Sequence, residues 1–242
     1  MWDAFIGFLH TIVYTPLYNA LVFLIDAIPG HDVGLAVIAL TILVRIILIP
    51  LSKKAVESQL AMKKVGPEVE VLKKKFKSDR AEQSKAIMAI YKERGVHPFA
   101  GFGLLLIQLP ILFALYYIFA QSGLPVIEAN TLYSFVHSPP VVNMEFLGFV
   151  DMAAAHNIVL AVLVAVSQYI YTRLSMGKKQ DDSPIEASLS KDLAKSFDMQ
   201  ARYVMPLMFG VIAFILPSAA SLFYFTANVF MIGQEFLSGR RF

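Results

Sequence analysis

The chain has 242 residues, 57% of them hydrophobic and only 16% charged, with a formal net charge of +3 and a mean hydropathy of +0.62. A soluble domain usually carries about 25% charged residues, so this balance points to an integral membrane protein. With no cysteine in the chain, disulfides, thiolate metal sites, a cysteine nucleophile and a lipid-modified cysteine are all excluded.

No basic stretch precedes the first apolar run, so a cleavable signal peptide is not expected. In FIGFLHTIVYTPLYNALVFLIDAI the polar groups recur at His10/Thr11, Tyr14/Thr15, Tyr18/Asn19 and Asp26, close to a helical period. One polar stripe opposite an apolar face suits a helix lying in the membrane interface, so residues 1–32 are expected to form an extracytoplasmic amphipathic helix. A sixth span here would place the N-terminus inside with no basic residue to hold it.

Crossing a bilayer takes roughly 17–25 residues of helix. Suitable apolar runs lie at 33–51, 100–121, 154–174 and 201–237. The last is too long for one helix and breaks at Leu216-Pro217-Ser218, which makes two spans, 201–217 and 218–237. Between the first two runs, residues 52–99 are rich in Lys, Glu, Ala, Leu and Met, and predict a hairpin of two antiparallel helices, 53–77 and 81–94. Lys77-Ser78-Asp79-Arg80 is its turn, and Gly66-Pro67 is expected to kink or restart the first helix. Residues 122–153 and 175–200 read as loops, and 238–242 as a short tail.

Charge placement orients these elements. Twelve Lys and Arg fall in 52–97, six in 173–202 and two at Arg240 and Arg241. None lies in the loop 122–153 or before Leu40, so 20 of the 21 basic residues share one side, the cytoplasmic one. The expected fold class is therefore an all-α integral membrane protein with five transmembrane helices, N-out and C-in, an interfacial helix and a cytoplasmic helical hairpin. The hairpin carries 12 basic and six acidic residues, including Lys63, Lys64, Lys73, Lys74 and Lys75. Such a surface suits anionic phospholipid, RNA or an acidic protein.

Arg45 is the basic residue out of place, inside TILVRIILIP. An arginine at mid-helix costs at least ~2.5–3.5 kcal/mol on insertion scales. Thr41 stands four residues before it on the same helix face, and Ser52 follows two turns later. The side chain lies about 10 Å of helix from the loop, in the cytoplasmic half of the membrane. Snorkelling to the headgroups is one reading; a water-containing cavity open to the cytoplasm is the other. Polar residues in the other spans bear on the choice: Gln108 before Pro110, Ser167 and Gln168, then Ser221, Tyr224, Thr226 and Asn228. Each singly is the kind of side chain that hydrogen-bonds between helices in lipid. Together, around an arginine with acids only towards the span ends, they favour a shared wet groove. Alternatives are a small anion transporter or channel using Arg45, and a scaffold in which Arg45 binds lipid phosphate. No internal repeat of the transporter kind is visible. No nucleophile–base set, phosphate-binding loop or metal-ligand spacing is present, so neither an enzyme nor a cofactor or metal is expected.

TILVRIILIPLS, YKERGVHPFAGFGLLLIQLPILFALYYIF and LPSAASLFYFTAN together resemble the signature stretches of YidC-type membrane protein insertases, the YidC/Oxa/Alb family, in a short bacterial form. The resemblance runs from about Tyr14 to Phe236. It implies a hydrophilic groove closed to the outside and open to cytoplasm and lipid, lined by Arg45, Thr41, Gln108 and Tyr224. Gln168, Ser221 and Asn228 join the expected groove set. The implied substrates are nascent membrane proteins, inserted without nucleotide hydrolysis in the bacterial plasma membrane. Ribosome, targeting receptor and Sec translocon are candidate further partners, and no specific nucleic-acid sequence is expected to bind. Ala219 and Phe223 stand where the family often has Gly and a second Tyr, which leaves Tyr224 as the expected substrate contact.

Overall fold

The computed structural model describes residues 7, 9–77, 79–96, 100–120, 124–176 and 199–237. Of the loop expected at 175–200, residues 177–198 lie outside the described residues, as does the expected tail at 238–242; residues 175 and 176 are helical instead. The chain divides into two compact units, Met1–Arg45 with Ile111–Phe242, and Ile46–Pro110.

The elements in order are a π-turn at His10–Tyr14, α1 (Thr15–Ala27), α2 (Val33–Lys75), α3 (Arg80–Glu93), α4 (Ala100–Ala120), β1 (Glu145–Phe146), β2 (Val150–Asp151), α5 (Ile158–Met176), a second π-turn at Gln200–Val204, α6 (Met205–Ile215) and α7 (Ser218–Leu237). Leu216 is extended (φ −78°, ψ 159°), the conformation a residue before proline prefers, and this separates α6 from α7 as expected. Val33–Lys54 and Ile158–Met176 are long and apolar enough to cross a membrane. Gln108–Ala120 and Gln200–Ile215 are shorter apolar stretches among the described residues.

Two expectations need correction. The helix does not stop where the first apolar run ends: α2 is one helix of 43 residues, Val33–Lys75, with Pro50 and Pro67 inside it. The Lys, Glu, Ala and Leu content of 53–75 propagates helix well enough to absorb the bonds these prolines remove. The polar stripe of the N-terminal helix is also not directed outward as a whole. His10 and Thr11 are exposed, but Tyr14, Tyr18 and Asn19 are buried. Their polar ends are satisfied within the protein: Asn19 Nδ2 donates to Thr131 O (2.9 Å), its Oδ1 accepts from Tyr133 N (2.6 Å), and Tyr18 Oη accepts from Glu128 N (2.8 Å). Burial pushes the Tyr18 phenol above its ordinary value, against the opposing effect of the Glu128 N–H.

In the first unit α5 packs against both α6 and α7. Gly210 makes the first of these possible, because a Cβ there would stand 2.8 Å from Ala165 Cβ and 3.2 Å from Ala161 O. The 124–157 segment is tied on at several points. Asn143 brackets the start of α2 through His31 O and Val33 N, and Ser218 N and Ala219 N donate to Ala154 O and Met152 O.

In the second unit α2 and α3 form the expected hairpin around Val65, Val69 and Val96, with Ala61, Ile87, Ile90 and Tyr91 against them. Asp79 caps α3 by accepting from Ala81 N and Glu82 N, satisfying donors every helix start leaves open. Gln83 Nε2 donates to Lys73 O, and Arg94 pairs with Glu68 at 2.9 Å. Lys64, Lys73, Lys74 and Lys75 are exposed; the side chain of Lys63 lies outside the described residues.

Candidate functional site

The period of α2 sorts its residues between two environments. Val33, Ala36, Val37, Leu40 and Thr41 are buried, whereas Leu35, Ile42 and Leu43 are exposed. Arg45 continues the buried line at the i, i+4 positions 37, 41 and 45 and is only 8% exposed. The Thr41 hydroxyl donates its proton to Val37 O (2.6 Å), so towards a guanidinium, which only donates, its oxygen can act as an acceptor.

Two electrostatic neighbours of Arg45 come from α5 and α7. The phenols of Tyr171 and Tyr224 interact electrostatically with the guanidinium, and also with each other. Phe209 of α6 stacks on the Tyr224 ring at 5.1 Å between centroids, which holds that phenol in place.

The remaining expected groove residues divide. Ser221 donates to Ala213 O (2.7 Å) and Asn228 Nδ2 donates to Ser167 Oγ (3.1 Å), whose hydroxyl donates in turn to Val164 O. Both are buried and committed to joining helices. Gln168 is half-buried on α5. Gln108 lies on α4 within the second unit and is also half-buried. Tyr171 is the residue that sequence reasoning missed. Its signal was present, since it stands three and four residues after Gln168 and Ser167, on the same helical face. Arg202 and Glu235, at the two ends of the apolar run 201–237, are both buried.

The architecture is that of a helical membrane protein with a buried basic residue among aromatic hydroxyls. The family model described as 60Kd inner membrane protein matches residues 24–242, and the chain belongs to that family. It is 30% identical over 210 residues to the membrane protein insertase YidC of Clostridium tetani, covering 87% of this chain and 83% of the relative. Against the membrane protein insertase YidC of Oceanobacillus iheyensis it is 28% identical over 236 residues, covering 96% and 83%. With the membrane protein insertase MisCA of Bacillus subtilis the identity is 29% over 240 residues, covering 98% and 78%. A crystal structure described as active YidC insertase with the first transmembrane domain resolved superposes with a TM-score of 0.58 at 26% identity. It covers 93% of this chain and 46% of that one. The expected resemblance to YidC-type insertases is borne out.

Proposed function

We propose that the chain is a membrane protein insertase in which Arg45 receives short polar or acidic extracellular segments of nascent membrane proteins. The observation that supports this is a buried guanidinium with Tyr171 and Tyr224 as its electrostatic neighbours, in a chain whose relatives are named insertases. A polar segment must cross ~30 Å of hydrocarbon. A positive charge part-way across, in a hydrophilic groove open to cytoplasm and lipid, lowers the desolvation barrier at its worst point. The substrate's apolar helix then leaves sideways, and its burial in lipid drives the step without nucleotide hydrolysis. In this reading five helices span the bacterial plasma membrane, N-out and C-in. The interfacial helix lies outside. The basic hairpin faces the cytoplasm, where Lys64, Lys73, Lys74 and Lys75 meet anionic phospholipid and recruit ribosome, targeting receptor or Sec translocon.

The test is reconstitution in liposomes with a single-span substrate bearing a short acidic extracellular segment. Two unit charges ~10 Å apart at an effective dielectric of about 20 attract by ~1.7 kcal/mol, or roughly tenfold in rate. Arg45→Ala is therefore expected to slow insertion by about tenfold, and Arg45→Lys to retain most of it. Insertion by the wild-type chain no better than in empty liposomes would sink the insertase reading. Full activity of Arg45→Ala would remove the arginine's role in it.

A further inference from the structure

The two-stranded hairpin carries an apolar tip that the protein itself does not cover. β1 and β2 pair antiparallel, Phe146 opposite Val150, leaving Leu147, Gly148 and Phe149 as the loop. Leu147 is 61% exposed and Phe149 is 76% exposed. Gly148 (φ 78°) suits such a loop, but Leu147 (φ 54°) occupies the left-handed region that branched, bulky side chains avoid. Asn or Asp would fit that backbone and water better. A leucine there works against both backbone preference and solvation unless something apolar receives it.

The setting of the tip identifies the receiver. Asp32 is buried and uses its two oxygens on two separate segments: Oδ1 accepts from Leu35 N (2.9 Å) and Oδ2 from Leu147 N (3.3 Å). Gly34 leaves room for the Phe146 ring against the first turn of α2, where any Cβ would collide with it. The hairpin is thereby fixed to the end of α2 at which the helix enters its apolar run. Leu35 is itself exposed and begins the stripe that continues through Ile42, one face of a helix long enough to cross a membrane. Through its two oxygens Asp32 ties the backbone of the tip to that of Leu35, where the exposed stripe begins.

We propose that the Leu147–Phe149 tip is a lipid anchor, seated at the headgroup–acyl boundary of the outer leaflet beside the start of α2. It rests on the membrane-spanning reading of α2 given above. Asp32, Gly34 and Phe146 set its height, and Leu147 and Phe149 supply the apolar surface that enters the bilayer. An anchored tip holds the extracytoplasmic segment at a defined depth while the helices beneath it admit a substrate.

Because the chain has no cysteine, single spin labels report depth without further substitution. Phe149→Cys, Ile42→Cys and Ser138→Cys are labelled separately in the full chain. They are reconstituted in phosphatidylethanolamine–phosphatidylglycerol liposomes and compared for relaxation by oxygen and by a water-soluble nickel chelate. The expected result is an oxygen-to-nickel ratio at Phe149→Cys several-fold above that at Ser138→Cys and approaching that at Ile42→Cys. A label at 149 as open to nickel as the one at 138, with 42 in lipid, overturns the anchor and leaves the insertase reading standing. Shielding of 149 from both agents also overturns it, since protein and not lipid would then cover the tip. A label at 42 without oxygen excess removes the membrane placement of α2, and the anchor with it.

Discussion

Asn19 offers the sharpest test of how the extracytoplasmic segment is held. Its amide is buried and joins α1 to the segment at 131–133 from both ends, donating to Thr131 O and accepting from Tyr133 N. Its Nδ2 also donates to Thr15 O at 2.8 Å. Asn19→Asp keeps the shape and the acceptor but turns the donor into an anionic oxygen facing two carbonyls. Losing one partner of a buried hydrogen bond costs ~1–3 kcal/mol, and more where charge is involved. Two carbonyls facing an oxygen therefore set the expected cost at about 2–4 kcal/mol. Every 1.4 kcal/mol is a factor of ten, so the open form of this segment should rise by about 30- to 1,000-fold. When opening and closing are fast relative to cleavage, proteolysis tracks that population. The assay is limited proteolysis of the detergent-solubilised chain, with the cut mapped to 124–136. Asn19→Asp is expected to accelerate cleavage over that range, and Asn19→Ala towards its lower end. If Asn19→Asp were cleaved at the wild-type rate, the amide would not be holding the segment and the reasoning would be wrong.

Gly210→Ala should destabilise the α5–α6 packing by ~1–3 kcal/mol through overpacking against Ala165 and Ala161. Ala165→Gly in the same chain should recover part of the loss, which thermal unfolding in detergent will show. Tyr224→Phe and Tyr171→Phe should each slow liposome insertion by roughly two- to fivefold, less than Arg45→Ala, because each removes a dipole and leaves the charge. Tyr18 stabilises the fold fully below its unfolded value of 10.0 and loses that contribution as pH rises through its higher folded value. Stability should therefore fall more steeply with rising alkaline pH for the wild-type chain than for Tyr18→Phe. Equal steepness would show that the Tyr18 phenol titrates as it does in water. Asp79→Ala should cost ~1 kcal/mol of helix stability at the hairpin turn, without moving the Val65–Val69–Val96 cluster.

Much of this protein was legible before any coordinates. The apolar runs fall on α2, α4, α5 and the α6–α7 pair, and those of α2 and α5 supply helices long and apolar enough to cross a membrane. Leu216-Pro217 ends α6 because a residue before proline avoids helical geometry. Asp79 starts α3 because a short carboxylate matches the open donors of a helix start. Arg45 announced itself by isolation, as the one basic residue among 21 that stands away from the end of an apolar run. Thr41 beside it followed from helical spacing alone.

Tertiary structure decided the rest, because period and composition say which residues share a face and not what that face meets. The stripe of Tyr14, Tyr18 and Asn19 has the spacing of a headgroup-facing surface, yet a loop more than 100 positions away supplies backbone partners for Tyr18 and Asn19. Ser221 and Asn228 share the sequence signature of groove residues, but their donors are taken by neighbouring helices. Tyr171 enters the field of Arg45 only through the packing of α5. The burial of an arginine is costly in any sequence. Which groups surround it depends on how helices from distant parts of the chain come together, and that information resides in packing alone.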